Sequence, residues 1–172
     1  RPLVLHGFGR LSERVASASP FCLKLEAWLR LAGVPYEAVG DFNPFKAPRG
    51  KAPWVELPDG RVLADSQVII DTLRTERGIA LDEGVDEDRR QLLLLVQRTL
   101  EDHLYFALVH MRWVRDSGFS VLVPHYFGGM PQPMRALVSR MGRRGVKKAA
   151  WLQGTSRYSE AEIEASAARD LE

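Results

Sequence analysis

Ser19-Pro20-Phe21-Cys22-Leu23-Lys24-Leu25-Glu26-Ala27-Trp28-Leu29 is the stretch from which the rest of the chain becomes readable. Serine is a preferred N-cap residue, and proline at the first helical position lacks only an N–H that would be unpaired anyway. Phe21, Leu25, Trp28 and Leu29 recur at three- and four-residue spacing, so the stretch predicts a helix with one apolar stripe. Gly33 sits where such a helix ends, and Pro35 prevents its continuation. Upstream, Pro2-Leu3-Val4-Leu5-His6-Gly7-Phe8 predicts a buried strand, and the polar stretch through Gly9, Ser12, Ser17 and Ser19 predicts a loop. Downstream, Tyr36-Glu37-Ala38-Val39 predicts a second strand. Trp54–Leu57 and Arg61–Ala64 flank Pro58-Asp59-Gly60, a hairpin turn in which glycine supplies the positive φ. Asp65 or Ser66 then caps a helix through Val68, Ile69, Ile70 and Leu73. This order predicts an α/β domain, a mixed four-stranded sheet with helices, over residues 1–78.

The character changes after residues 79–88, which carry five acids and no base. Residues 89–115 predict a long helix, apolar along Leu93, Val96, Leu100, Leu104, Ala107, Met111 and Val114, as in the middle of a bundle. The glycines and prolines of 116–133 predict a long irregular connection. Helices at 134–153 and 159–171 follow, the last opened by a capping box of Ser159 and Glu162. Residues 85–172 are therefore expected to form an all-α domain. The chain has no initiator Met and stops at Asp170-Leu171-Glu172, inside a predicted helix, so its C-terminal boundary is expected not to be the natural end.

Composition narrows the classes. With 45% hydrophobic and 27% charged residues, the 172-residue chain is neither disordered nor low in complexity. Apolar runs such as Leu92–Val96 fall far short of the ~20 residues of a membrane span, and no basic-then-apolar leader opens the chain. A single cysteine excludes an internal disulfide and a multi-thiolate zinc site, and suits a reducing, cytoplasmic location. His103 and His110, seven apart, make no metal signature. The net charge of +2 is too small for a nucleic-acid binder, yet it is unevenly spread. Residues 135–148 carry six bases and no acid, which reads first as a solvated helix face and second as a contact for acidic lipid or a partner.

Three of these motifs together resemble one superfamily. Ser19-Pro20-Phe21-Cys22 opening a helix after the first strand is similar to the redox-motif position of the thioredoxin and glutaredoxin fold. Lys51-Ala52-Pro53-Trp54-Val55 before a hairpin is similar to that fold's cis-proline loop, and Asp65-Ser66 resembles the acidic-Ser pair of glutathione transferases. The runs Ser19–Glu26, Glu101–Val109 and Phe127–Pro131 further resemble the branch of the glutathione S-transferase superfamily that contains metaxins and failed-axon-connections proteins. The resemblance implies a thioredoxin-like glutathione-binding domain and an all-helical C-terminal domain with further helices beyond residue 172. It also implies a transferase that activates glutathione as co-substrate against a small hydrophobic electrophile, without a metal. The alternative is a non-catalytic binding protein of the metaxin type. An incomplete bundle leaves the 89–115 helix exposed or covers it in a homodimer.

The residues so implied have ordinary structural roles beside the functional ones. Glutathione is an anionic thiol of pKa near ~8.5. A helix N-terminus and a donating Ser19 hydroxyl stabilise its thiolate, and a lowering by about two units raises the thiolate from about 3% to about 75% at pH 7, for roughly 2.7 kcal/mol. Ser19 is equally an N-cap, and Ser17 competes for the thiol. Cys22, with serine where a dithiol motif needs cysteine, reads as a buried structural thiol. Phe21 lies in the helix's first turn, among the residues that the resemblance assigns to glutathione. A cis Ala52–Pro53 bond exposes the Ala52 backbone to pair with the tripeptide. Ser66 and its helix N-terminus accept the γ-glutamyl carboxylate, and Asp65 engages the ammonium group. Lys51 is a lesser candidate for a glutathione carboxylate.

Overall fold

The computed structural model describes residues 1–172 except Leu11, Arg14 and Asp41, the first two within the loop expected between the first strand and first helix. The chain divides into two compact units, Arg1–Gly84 and Val85–Glu172.

In the first unit, β1 (Leu3–His6) pairs in parallel with β2 (Tyr36–Val39) and antiparallel with β3 (Trp54–Glu56), which pairs antiparallel with β4 (Val62–Ala64). The sheet order is β2-β1-β3-β4. The parallel β1–β2 step needs a crossover, supplied by α1 (Pro20–Leu31). The β3–β4 turn closes through Leu57 N–H to the Arg61 carbonyl at 2.8 Å. Helix α2 (Ser66–Arg77) follows β4. Leu25 and Leu29 of α1, Ile69 and Leu73 of α2, and Leu3, Leu5 and Val55 of the sheet form one core, each at most 3% exposed. At about 1.5–3 kcal/mol for each buried side chain, this core is what holds α1 and α2 on the sheet. Glu26, buried on the same helix, accepts from the Tyr36 hydroxyl at 3.0 Å and pairs with Arg30, so its charge is compensated.

The second unit is helical. α3 (Glu87–Arg98), a π-helical segment (Thr99–Leu104), α4 (Tyr105–Val109) and a second π segment (His110–Val114) run on without a break. The predicted apolar stripe divides at this point: Leu93, Val96 and Leu100 are exposed, whereas Ala107 is buried and Leu104, Met111 and Val114 are half-buried. Helix α3 has no buried residue on any side, so the stripe meets no packing partner along it and is covered only beyond Leu100. Leu92 and Leu95 are 60% and 65% exposed.

Residues 116–133, expected as an irregular connection, contain α5 (Asp116–Phe127). Pro124 removes one helical hydrogen bond, a cost of about 3 kcal/mol in a helix interior. Trp113 offsets it by gathering Phe119, Tyr126 and Phe127 around its ring at 5.6–6.4 Å. Helix α6 (Met134–Gln153) and helix α7 (Glu160–Arg169), with its capping box complete, lie near the expected bounds. Arg143 departs from the solvated role expected of the basic run. Its guanidinium donates to the carbonyls of Trp113 (2.8 Å) and Val114 (2.7 Å) and to Asp116 (2.6 Å), closing the end of the second π segment. No helix among the described residues is long and apolar enough to cross a membrane.

Candidate functional site

The register of the sheet brings the three sequence motifs to one end of it. His6, the last residue of β1, lies opposite Trp54, the first of β3, and Trp54 lies opposite Ala64, the last of β4. The Ala52–Pro53 bond, which is cis, therefore enters the sheet where β4 leaves it for Asp65 and Ser66. The Asp65 N–H donates to the Pro53 carbonyl at 3.3 Å and fastens the two motifs together. The start of α1 reaches the same end, because a Cβ on Gly7, directly after β1, would lie 2.9 Å from the Cys22 sulfur. One turn further, Lys24 of α1 donates to Gln67 of α2 at 2.7 Å. Two helix N-termini thus stand side by side above a cis-proline loop, an arrangement that favours an anion with an extended backbone.

Each motif also carries structural work. The Ser19 hydroxyl accepts from the Cys22 N–H at 3.4 Å as the N-cap of α1. The Ser17 hydroxyl donates to the Phe8 carbonyl and accepts from the Ser19 N–H, both at 3.3 Å. Ser17 and Ser19 are 5% and 8% exposed. Burial pushes the Cys22 thiol above its ordinary range, against the lowering influence of Ser19, the Phe8 backbone and Ser17 beside it. Cys22, 3% exposed, is a packed protonated thiol.

At α2, Asp65 has a φ of 86°, rare for a residue with a Cβ and costing of the order of 1–3 kcal/mol. Its carboxylate accepts from the N–H groups of Gln67 (2.9 Å) and Val68 (3.3 Å), which holds the corner. Ser66 is 4% exposed beneath it, Phe21 and Ala52 are half-buried, and Lys51 is exposed. The structure brings Pro53, Asp65 and Ser66 into one corner, and Ser19 into the neighbouring one around Cys22. No distance ties Lys51 to either.

Sequence reasoning missed the lining of this end. His6 stacks on Trp54 with ring centres 3.7 Å apart, and its Nε2 lies 3.4 Å from Glu56. Phe8 packs against Phe42 with tilted rings 4.4 Å apart, and the Phe42 N–H donates to the Gly7 carbonyl, binding the loop after β2 to the loop after β1. The signal in the sequence is aromatics clustered at strand ends: His6 closes β1, Trp54 opens β3, and Phe8 and Phe42 stand two and three residues past β1 and β2. Among the described residues no cluster of His, Cys, Asp or Glu could hold a metal ion.

The glutathione S-transferase N-terminal domain family model matches residues 20–118. Failed axon connections of Drosophila melanogaster is 30% identical over 177 residues, spanning 99% of this chain and 40% of that protein. The isoprene-epoxide–glutathione S-transferase of Rhodococcus sp. (strain AD45) is 28% identical over 122 residues, spanning 67% of this chain and 50% of that one. The chain thus covers half or less of both relatives. Among solved structures, glutathione transferase GSTFuA3 from Phanerochaete chrysosporium superposes with a TM-score of 0.53 at 16% identity, over 91% of this chain and 69% of that one, which shows the shared fold.

Proposed function

The chain belongs to the glutathione S-transferase N-terminal domain family, in the branch that holds Failed axon connections, and from that premise we propose that its first unit binds glutathione and activates the thiol for attack on, or reduction of, a small hydrophobic electrophile. The observation carrying this reading is the convergence of the α1 N-terminus, the cis Ala52–Pro53 loop and the Asp65–Ser66 corner at one end of the sheet. Ala52 offers backbone groups to the tripeptide, and Ser66 with the α2 N-terminus takes the γ-glutamyl carboxylate. Asp65 keeps its capping bonds and turns its remaining charge to the ammonium group. Phe21 packs beside the peptide, Lys51 is a lesser candidate for a glutathione carboxylate, and Ser19 donates to the sulfur while the α1 dipole favours the thiolate. No metal takes part in this scheme. An epoxide is the first electrophile to try, because that is what the Rhodococcus relative is named for. The soluble, reducing compartment where glutathione abounds is the corresponding location.

A second reading, a non-catalytic binding protein of the metaxin type, rests on the burial of Ser19 and Ser17 and on the bonds their hydroxyls already make. Retention on immobilised glutathione, followed by a conjugation assay with a small epoxide, separates the two. Retention with turnover supports the transferase, retention without turnover the binding protein, and no retention at millimolar glutathione would falsify glutathione binding itself.

A further inference from the structure

Helix α6 has a face with no covering in its own unit and no acid anywhere along it. Met134, Leu137, Met141, Trp151 and Leu152 are each more than half exposed. Arg140, Arg144, Lys147 and Lys148 are exposed beside them, and Met134–Gln153 contains neither Asp nor Glu. At about 100° per residue, Leu137, Met141, Met134 and Leu152 share an arc of about 60°, and Arg144, Arg140 and Lys147 follow within about 80° on one flank. Lys148 stands inside the apolar arc, and Trp151 lies among the flanking cations. Arg157 stacks its guanidinium 4.3 Å over Trp151 and adds a cation at that end. The opposite side of the helix is the packed one, where Ser139 and Ala150 are buried, Gly142 faces Phe127 and Trp113, and Arg143 is consumed by the Trp113 and Val114 carbonyls. The neighbouring acids are also taken: Asp116 by Arg143, and Glu160 and Glu164 by Arg115.

We propose that this face of α6 docks on an anionic phospholipid membrane surface. The occupant follows from the two chemistries combined on one side of one helix. Cations with no acid among them call for a surface of net negative charge. Large apolar side chains interleaved with those cations on the convex side of one helix call for a medium that yields to them. The acyl boundary of a bilayer does this, while Lys and Arg extend their heads to the phosphates and a Trp settles at the interface. An acidic protein segment would satisfy the charges and leave Leu137, Met141 and Leu152 in water. The proposal is independent of the glutathione reading, since it concerns another unit of the chain.

The test is co-sedimentation of the full chain with vesicles of equimolar phosphatidylserine and phosphatidylcholine, and with vesicles of phosphatidylcholine alone. Binding to the first and not to the second is expected, weakening as salt is raised. The exposed-site double variant Arg144→Gln with Lys148→Gln should partition about 30-fold more weakly, at about five-fold per cation. Leu137→Ser with Leu152→Ser should lose what salt does not remove. Circular dichroism of both variants, expected to match the parent, shows that the helix is intact. Equal binding to both vesicles, no binding to either, or variants that bind like the parent would each overturn the proposal. So would capture by polyglutamate with no capture by vesicles, since the partner would then be an acidic polypeptide.

Discussion

Cys22 and Ser19 illustrate how one residue type at one position divides two chemistries. Enclosure raises the pKa of the Cys22 thiol despite its place in the first turn of a helix and the lowering influence of Ser19, Phe8 and Ser17, so its thiolate is scarce at neutral pH. Because Cys22 stays a thiol at neutral pH, Ser19, three residues earlier, is the proposed donor to a bound thiolate. Ser19→Ala is therefore expected to raise the pKa of bound glutathione and cut turnover by ~10²-fold at neutral pH, with binding little changed. Loss of the N-cap should also cost about 1 kcal/mol of stability. Cys22→Ala should leave turnover nearly intact, and native Cys22 should alkylate slowly until the pH exceeds its ordinary thiol value of 9.0. Ultraviolet titration of bound thiolate, a conjugation assay and iodoacetamide kinetics measure these outcomes. A dead Cys22→Ala beside an active Ser19→Ala would move the chemistry to cysteine.

At the scale of elements, the end of the long helix holds two tests. His110 is 6% exposed; its Nδ1 faces the Ser156 hydroxyl at 2.8 Å, its Nε2 has no hydrogen-bond partner, and Arg115, Lys147 and Glu160 surround it. Burial, against the opposing pull of Glu160, lowers its pKa below the ordinary 6.5. Below 6.5 the unfolded chain takes up a proton that the folded one refuses. Stability is thus full above 6.5 and declines as the pH falls from there to the lower folded value. Urea unfolding at about pH 7 and about pH 5.5 should register this decline, reduced in His110→Gln. Gly118, in the first turn of α5, has the Met111 carbonyl where a Cβ would stand, 1.8 Å away. Gly118→Ala should cost about 3 kcal/mol, read as a fall in melting temperature. Neither feature was legible beforehand. Helix α1 could be read because its cap, proline, stripe and terminal glycine all lie within fifteen residues. Helix α5 could not, because glycine and proline argued against it locally, and the Trp113 cluster that stabilises it is a tertiary contact. Arg143 was misjudged for the same reason: charge patterning cannot announce which arginine turns inward to cap carbonyls.

For the molecule as a whole, the hairpin pairing of β3 with β4 was readable from its short turn, and the three motifs were readable as a set because they fall in the order and spacing of one superfamily. The π segments, and the exposure of Leu92–Val96 that accompanies them, were not, since a helical stripe says that a face is apolar and not what covers it. That exposed run is expected to bind an apolar dye such as anilinonaphthalene sulfonate, or to bury itself by self-association. Leu92→Lys with Leu95→Lys should abolish the dye signal or the association seen by sedimentation velocity. The central claim is that the first unit holds glutathione between the starts of α1 and α2. Amide chemical-shift mapping of the isotope-labelled chain with reduced glutathione tests it most directly. The expected result is shifts at millimolar ligand centred on Phe21, Ala52 and Ser66, with α7 unmoved. An unchanged spectrum, or shifts confined to residues 85–172, would contradict it.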